Sequence, residues 1–521
     1  MQDLKIWEEK IKNKIKASSW KQFIETRASW YPLVFNKRKI GISRYPETKR
    51  SPQIVENKTF DENIDAHTKY GREYDFGKNF FMNFQELFLS IPLGKTFEIS
   101  GKSENTDFAD TISSSKNVYL SFNVTKGNEN ILYSLGVKDH IKDTLNSVMV
   151  WDNSEIVFNS VGIIKSFKIF YSRYISDSNN IWFSSNLMGC SECIFCEGLQ
   201  NKNYCIENKE FDKETYFKEK ENILKKKNEF YSYFEKLEKR GKNYGSTKVN
   251  GNFIIHSENV ENGAMIYQVK NGKNILLSGY NYGMENIYTS LFCGAKSECY
   301  GGIGCGLMAE NIYNSFGISG GQHLFYSHAC SGGCSFLIGC IGLQNKHFCI
   351  LNKQYSKEEW YELADKIFAS MEKDGILGDF FPGELNPFYF NDTMAYLIDD
   401  SFTKEEVEKE GFMWRDEKIK VDIPEGAEII YAKNPPVLSY IPLIKGDSQS
   451  GAKAEGVLSD YQGFDENRNW KINPEILKKV IVDNDGNYYK IVPMEYDFLM
   501  KYGLPLPEVH WLERIKMGFK F

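Results

Sequence analysis

The sequence predicts a mainly β protein, two duplicated β-solenoid blocks of 12–13-residue units with capping helices, and three observations carry that prediction. The first is an internal duplication. From Gly189 the chain reads GCSECIFCEGLQNKNYCIENKEFDKETYFKEKENIL and from Gly333 it reads GCSFLIGCIGLQNKHFCILNKQYSKEEWYELADKIF, identical at 17 of 36 positions without a gap. The second is a finer period. Apolar markers recur at Val118, Ile131, Thr144, Ile156, Ile169, Ile181 and Cys193, and again at Ile275, Ile287, Cys299, Ile312, Leu324 and Leu337, always 12 or 13 residues apart. The third is the content of each unit: an apolar, β-branched or aromatic core followed by Gly, Ser, Asn or Lys, which is one short strand and one turn.

Such a unit cannot bury its own apolar face, so neighbours must stack. Stacked in register, Ile lies over Ile, and Asn or Ser at fixed offsets can hydrogen-bond along the stack at about 4.8 Å per layer. Two units per coil, about 24 residues, are expected, because Tyr, Phe and Trp need more interior than a 12-residue coil encloses. The structural alternative is an antiparallel all-β sandwich or propeller-like arrangement of the same repeats.

The elements follow in order. Leu4, Trp7, Ile11 and Ile15 space an amphipathic helix among lysines. The aromatic stretch 70–92 predicts a second helix, capping one end of the first block. Repeats then run over Thr106–Cys196 and His256–Cys340, each block ending in Gly-Leu-Gln-Asn-Lys and a helix. The first of these helices is expected over Lys213–Lys239. The second opens on the capping box Ser356–Glu359 and runs to Lys373, before Gly375. Another capping box, Thr403–Glu406, starts a short helix. Residues 434–462 read as a surface loop, Val480–Val492 as strand–turn–strand, and Met494–Tyr502 as a helix. The organisation expected is 1–92 (basic helix and aromatic helical cap), 93–242 and 243–375 (the two solenoid blocks with their helices), 376–470 (irregular linker) and 471–521 (a small closing module).

With 521 residues, 41% hydrophobic and 26% charged, the chain is neither disordered nor one ordinary domain. Its net charge of −6 excludes nucleic-acid binding by bulk charge. The charge is uneven: residues 1–50 carry 13 Lys/Arg against 5 Asp/Glu, or +8, leaving −14 for the rest. That basic start reads as a helix face packed on the acidic body, or as an arm for an anionic partner or a partner subunit. No signal peptide or membrane span is visible, and the 11 cysteines, an odd number confined to 190–349, suit reduced thiols, so a cytoplasmic setting is expected.

No catalytic, cofactor-binding or metal residue is assigned by the sequence. Cys190-x-x-Cys193-x-x-Cys196 is the most metal-like string, but Cys193 is Leu337 in the duplicate, and Cys193 and Cys299 occupy ladder positions filled elsewhere by Ile or Leu. Cys293, Cys299 and Cys305, like Cys334 and Cys340, recur at six-residue steps that suit stacked positions. His323 and His328 near Cys330 and Cys334 make a Cys/His site imaginable, although His323 stands at the usual Asn position. Glu298 and Glu310 are a candidate carboxylate pair, placed on opposite sides by a two-unit coil. Gly301-Gly302, Gly320-Gly321 and Gly332-Gly333 read as turn glycines. No P-loop, GxSxG, kinase or dinucleotide motif is present.

The duplicated Gly-Leu-Gln-Asn-Lys-x-x-Cys-Ile-x-Asn-Lys-x-x-x-Lys-Glu string, with Tyr70-Gly-Arg-Glu-Tyr-Asp-Phe, Phe380-Phe381-Pro and Leu504-Pro-Leu-Pro507, resembles a family of cysteine-rich repeat proteins of uncultured small-genome bacteria. The resemblance implies a solenoid flanked by zinc ribbons and implies no activity. Where that family places its terminal ribbon cysteines, this chain has Val482, Asp485, His510 and Glu513. The implication is a ribbon that has lost its zinc, the alternative being a metal held by the last three.

The function expected is non-enzymatic: a structural or binding protein presenting its repeat surface to a protein partner or to itself in a larger assembly. Two alternatives stand beside it: a β-helix enzyme or spike acting on polysaccharide, and nucleic-acid association through residues 1–50.

Overall fold

A computed structural model describes residues 2–33, 45–56, 64–94, 103–276, 278–291, 294–306, 308–416, 423, 425–433, 454–464 and 470–520. Cys293 and residues 434–453 of the expected loop lie outside these. The helices are α1 (Gln2–Ala17), α2 (Trp20–Thr26), α3 (Phe80–Ser90), α4 (Lys213–Leu224), α5 (Phe230–Glu235), α6 (Lys357–Lys373), α7 (Met394–Ile398), α8 (Lys404–Lys409), α9 (Pro493–Tyr502) and α10 (Trp511–Lys516).

The body is a β-solenoid. In the first block, four-residue strands alternate between two sheets, one of seven strands from Asp110–Ser113 to Ser185–Met188 and one of ten from Glu104–Asp107 to Lys209–Glu210. Up to Asn203–Ile206 pairing is parallel, and each residue meets its partner one unit on: Glu104 with Lys116, Lys116 with Glu129, Glu129 with Lys142. One unit therefore closes one coil, with two strands in it, and the expected 24-residue coil is corrected. The second block has one nine-stranded sheet, and its opposite side is stitched by the bridges Leu291–Ile303, Ile303–Phe316, Phe316–His328 and His328–Ile341.

The reason for the narrow coil lies in a six-residue pattern inside the twelve. Every third residue points inward, alternately Ser and an aliphatic: Ser160, Ile163, Ser166, Ile169, Ser172, Ile175, Ser178 and Ile181, all at most 3% exposed. The interior holds four small side chains per layer, and the large aromatics stand outside. Between inward residues the backbone turns through the left-handed region, at Asn105, Phe108, Thr111, Ser114 and Asn117 and onward at the same spacing. Each such residue other than Gly costs about 1 kcal/mol or more, which hydrogen bonds along the stack offset. The Ser147 N–H donates to Ser134 Oγ at 3.2 Å, Ser160 to Ser147 at 3.2 Å, Ser172 to Ser160 at 3.1 Å and Ser184 to Ser172 at 3.2 Å. Each serine hydroxyl in turn donates to the carbonyl two residues back, as Ser160 does to Phe158 at 2.8 Å. The column is thus satisfied internally although no water reaches it.

Each block closes the same way. A two-residue strand folds back antiparallel on the last coil, Lys209–Glu210 on Cys205–Ile206 and Lys353–Gln354 on Cys349–Ile350, so the stack ends in a hairpin. A capped helix follows. Asp212 Oδ1 accepts the Thr215 N–H to start α4, and the Ser356–Glu359 box starts α6. The helix expected over Lys213–Lys239 breaks after Leu224. Its first part buries only Tyr216, whereas Phe230 and Phe234 of α5 turn onto the first block, so no single apolar stripe spans the segment. The helix expected over 70–92 is limited to α3, N-capped by Asn79. It caps no end of the first block: Phe80 packs on Tyr326 and Phe88 on His328, against the flank of the second block.

The outer aromatics form stacks that other elements cover. Tyr288, Tyr300, Tyr313 and Phe325 stack rung on rung with ring planes within 10°. In the first block, the matching side carries Tyr133, Phe158, Phe170 and Tyr171, and the C-terminal module docks there through Trp511, Phe498 and Tyr502. That module pairs Ile429–Tyr431 with both Ala454–Val457 and Val480–Val482, so the end of the expected loop is a strand. The strand–turn–strand at Val480–Tyr489 and helix α9 form as expected, and α10, which the sequence did not announce, is N-capped by His510.

Candidate docking face and the cysteine and histidine clusters

One side of the first block is open over its first rungs; farther along, Lys501 reaches Asp143 and helix α4 covers Glu192 and Tyr204 through Lys220 and Tyr216. The outward columns of this side are residues 116, 129, 142, 155, 167, 179, 191 and 203 and the residues that follow each. The first column begins Glu104, Lys116, Glu129, Lys142, Glu155, each in register with the next, so charge alternates in sign at every rung. The second column is an amide ladder: Asn105 Nδ2 donates to Asn117 Oδ1 at 2.8 Å, Asn117 to Asn130 at 2.9 Å and Asn130 to Asp143 at 2.7 Å. Asn suits this column twice over, since it tolerates the left-handed backbone and both donates and accepts. Further along the same face Phe167 is 40% exposed.

The equivalent side of the second block repeats the amide ladder, Asn259 to Asn271 to Asn286, but helix α1 lies across its continuation. Lys12 pairs with Glu298 at 3.3 Å, Lys10 with Glu372 at 2.6 Å and Lys14 with Asp379 at 3.2 Å, while Lys16 sits over the Tyr288 ring. Four lysines of the basic start thus face the body of this chain. His323, in the amide column as expected, contacts Glu8 Oε1 at 2.8 Å and stacks on Phe336. Because a coil is one unit long, Glu298 and Glu310 share this side on adjacent coils, which corrects their expected separation to opposite sides. Both carboxylates are engaged: Glu298 with Lys12, Asn286 and Tyr300, and Glu310 with Ser297 Oγ at 3.1 Å.

The ten described cysteines are all buried. Cys193 stands in the aliphatic column between Ile181 and Cys205, as its spacing predicts. Cys190 and Cys196 replace serines: their N–H groups donate to Ser178 and Ser184 Oγ, both at 3.0 Å. Contact with the Cys193 thiol pulls Cys190 and Cys196 down and pushes Cys193 up, while burial raises Cys330 and Cys340 far above the ordinary thiol range. Cys330 and Cys334 point into the second interior, whereas His328 points out, its Nδ1 at 3.0 Å from the Phe316 carbonyl and its Nε2 at 3.1 Å from the Tyr45 hydroxyl. The backbone separates them, so the imaginable Cys/His site is not assembled. Gly302, expected in a turn, faces inward: a Cβ there would lie 2.4 Å from Cys299 Sγ.

In the C-terminal module Val482, Asp485, His510 and Glu513, the positions expected from the resemblance, do not form a set of metal ligands. Val482 is buried in its strand and has no ligand atom. His510 Nδ1 accepts the Leu512 N–H at 3.2 Å, and Glu513 pairs with Lys516 at 3.5 Å. The two turns are joined instead by the carboxylate of Asp483, which accepts the N–H of Asp485 at 3.0 Å, of Asn487 at 2.8 Å and of His510 at 3.1 Å. One side chain thus cross-links the two segments. Among the described residues no group of three or more His, Cys, Asp or Glu is placed to hold a metal, and no helix is long and apolar enough to cross a membrane.

His510 gives a pH prediction. Burial, helped by Arg514, lowers its pKa from 6.5 to about 4. The unfolded chain therefore takes up this proton first as the pH falls. The contribution is complete above about pH 6.5 and is drained by about pH 4, a loss of up to about 3 kcal/mol. His510→Asn keeps a capping acceptor and is expected to flatten that part of the denaturation-versus-pH curve. An unchanged slope between pH 6.5 and 4 would contradict the assignment.

Comparison of the chain with protein-family models, with curated proteins and with solved structures returned no match.

Proposed function

We propose that the protein is a non-enzymatic binding protein, whose open ladder face on the first block docks a protein partner of mixed surface charge, within a larger assembly. The observation that carries this reading is the alternation Glu104, Lys116, Glu129, Lys142, Glu155, one charge per rung of a rigid stack. Such a face offers no continuous positive track for a nucleic-acid backbone. It does offer fixed, alternating partners for side chains of both signs, which favours specificity over raw affinity. The ring stacks that could receive sugar rings, Tyr300 to Phe325 in the second block and Phe158 and Phe170 in the first, are buried.

The test is reversal of sign on the face. A Lys116→Glu/Lys142→Glu variant turns the first five rungs uniformly acidic, and the affected side chains are exposed. Quantitative capture from the native source is expected to recover a protein partner with the parent chain and at least about tenfold less of it with the variant. Equal recovery would sink the reading, as would the capture of nucleic acid or glycan alone.

A further inference from the structure

Arg27, the residue that ends α2, is only 3% exposed and has no ion-pair partner among the described residues. Its Nη2 donates to Asn314 Oδ1 at 3.2 Å and its Nη1 to Thr26 Oγ1 at 3.0 Å. The guanidinium lies over the Phe380 ring at 5.0 Å, and Nε is buried without a hydrogen-bond partner. Burying a cation is costly unless it is fully paired; here burial lowers the guanidinium pKa to about 10, and the nearby Asp379 offsets it only in part. Arg27 also lines a cavity of about 520 Å³ between α1, α2, the segment Gly378–Glu384 and the end of α8. That volume is in the range of sites for small molecules, about 300–1,000 Å³.

The charges around the cavity are not uniform. Lys14 and Asp379 neutralise each other at 3.2 Å, and Lys409 stands at the solvent rim. Glu25, Glu384 and Glu410 also stand on the wall; Glu410 adds to burial in pushing the Glu25 carboxyl up, and Lys21 opposes it. A simple anion on Arg27 would meet that repulsion. A ligand carrying both signs would relieve both strains at once, and a carboxylate matches the planar donor fork of the guanidinium.

We propose that this cavity binds a small zwitterion, with its carboxylate on Arg27 and its ammonium group on Glu25 and Glu410. A free amino acid and a short peptide share that chemistry. The site is separate from the ladder face and does not depend on the function assigned to it.

Titration calorimetry on the full chain tests the proposal, using the twenty amino acids and dialanine as probes, with acetate and methylammonium as single-ended controls. At least one zwitterion is expected to bind, with both controls at least about tenfold weaker. Dialanine tighter than alanine would assign the peptide, and the reverse the free amino acid. Arg27→Gln is expected to lose at least about tenfold in affinity. Should that buried substitution unfold the chain, Glu25→Gln/Glu410→Gln, whose side chains are half-buried and exposed, carries the test with the same expected loss and an unchanged melting midpoint. The proposal is overturned if no probe binds, if acetate binds as tightly as the zwitterions, or if the glutamine double variant keeps full affinity.

Discussion

Replacing Arg514 with methionine is expected to cost about 3–5 kcal/mol and to release the C-terminal module from the first solenoid block. Arg514 Nη1 lies 2.9 Å from Glu495 Oε1 and 2.9 Å from Asn146 Oδ1, and its guanidinium sits over the Tyr133 ring at 4.9 Å. The two charged side chains are 1% and 0% exposed. One residue thus satisfies a carboxylate within the module and an amide on the solenoid. Burial already raises the Glu495 carboxyl, and without Arg514 that group would be left buried and unpaired. The loss should appear as a lower melting midpoint together with protease cleavage after 470. The double variant Arg514→Met/Glu495→Met is expected to regain much of the stability, since it removes the stranded charge. A loss below about 1 kcal/mol in the single variant would show that the pair is not what fastens the module.

Ile169→Ala is expected to cost about 2–5 kcal/mol. Ile169 is fully buried in the aliphatic column between Val157 and Ile181, where neither neighbour can shift without leaving its own register. The cavity would therefore persist rather than collapse. Ser160→Ala in the adjoining column removes less volume but strands the Ser172 N–H, at about 1–3 kcal/mol. Phe167→Ala, larger but 40% exposed on the ladder face, should stay within about 0.5 kcal/mol. Equilibrium denaturation of the three variants gives the order Ile169, Ser160, Phe167. A Phe167 effect as large as that of Ile169 would place the aromatics inside and overturn the narrow-coil account.

Much of this architecture was legible in the chain because the repeats expose it. Ile over Ile, Asn bonded to Asn and Cys193 in an aliphatic column all follow from a fixed offset of 12 or 13 residues. Coil size does not follow from that offset, because the aromatics of the unit suggest a wider interior than the coil has. The pattern Ser160-x-x-Ile163-x-x-Ser166-x-x-Ile169 carries the correct answer, since residues at every third position with small side chains describe a four-sided coil of twelve. The destination of the lysines in α1 was legible only as two alternatives, because Glu298, Glu372 and Asp379 are brought beneath that helix by tertiary folding alone. Arg27 was silent for a similar reason: neither Asn314, Phe380 nor Glu410 is near it in sequence. Asp483 could have been noticed as a turn acceptor ahead of Asn484-Asp485-Gly486, but its bond to His510 could not.

The narrow interior also governs how the chain can assemble. Each coil makes its main contacts with the coil just before it, 12 or 13 residues back, so the loop closed at every step is short. Once one coil exists as a template, the rest can zip onto it in the order of synthesis, and each finished block is sealed by its own hairpin before the next begins. The covering elements obey a different rule. Helix α1 rests on the second block and must wait for it to be made, whereas the C-terminal module comes last and docks on a first block long finished, so the wrapping closes loops far longer than any within the stack.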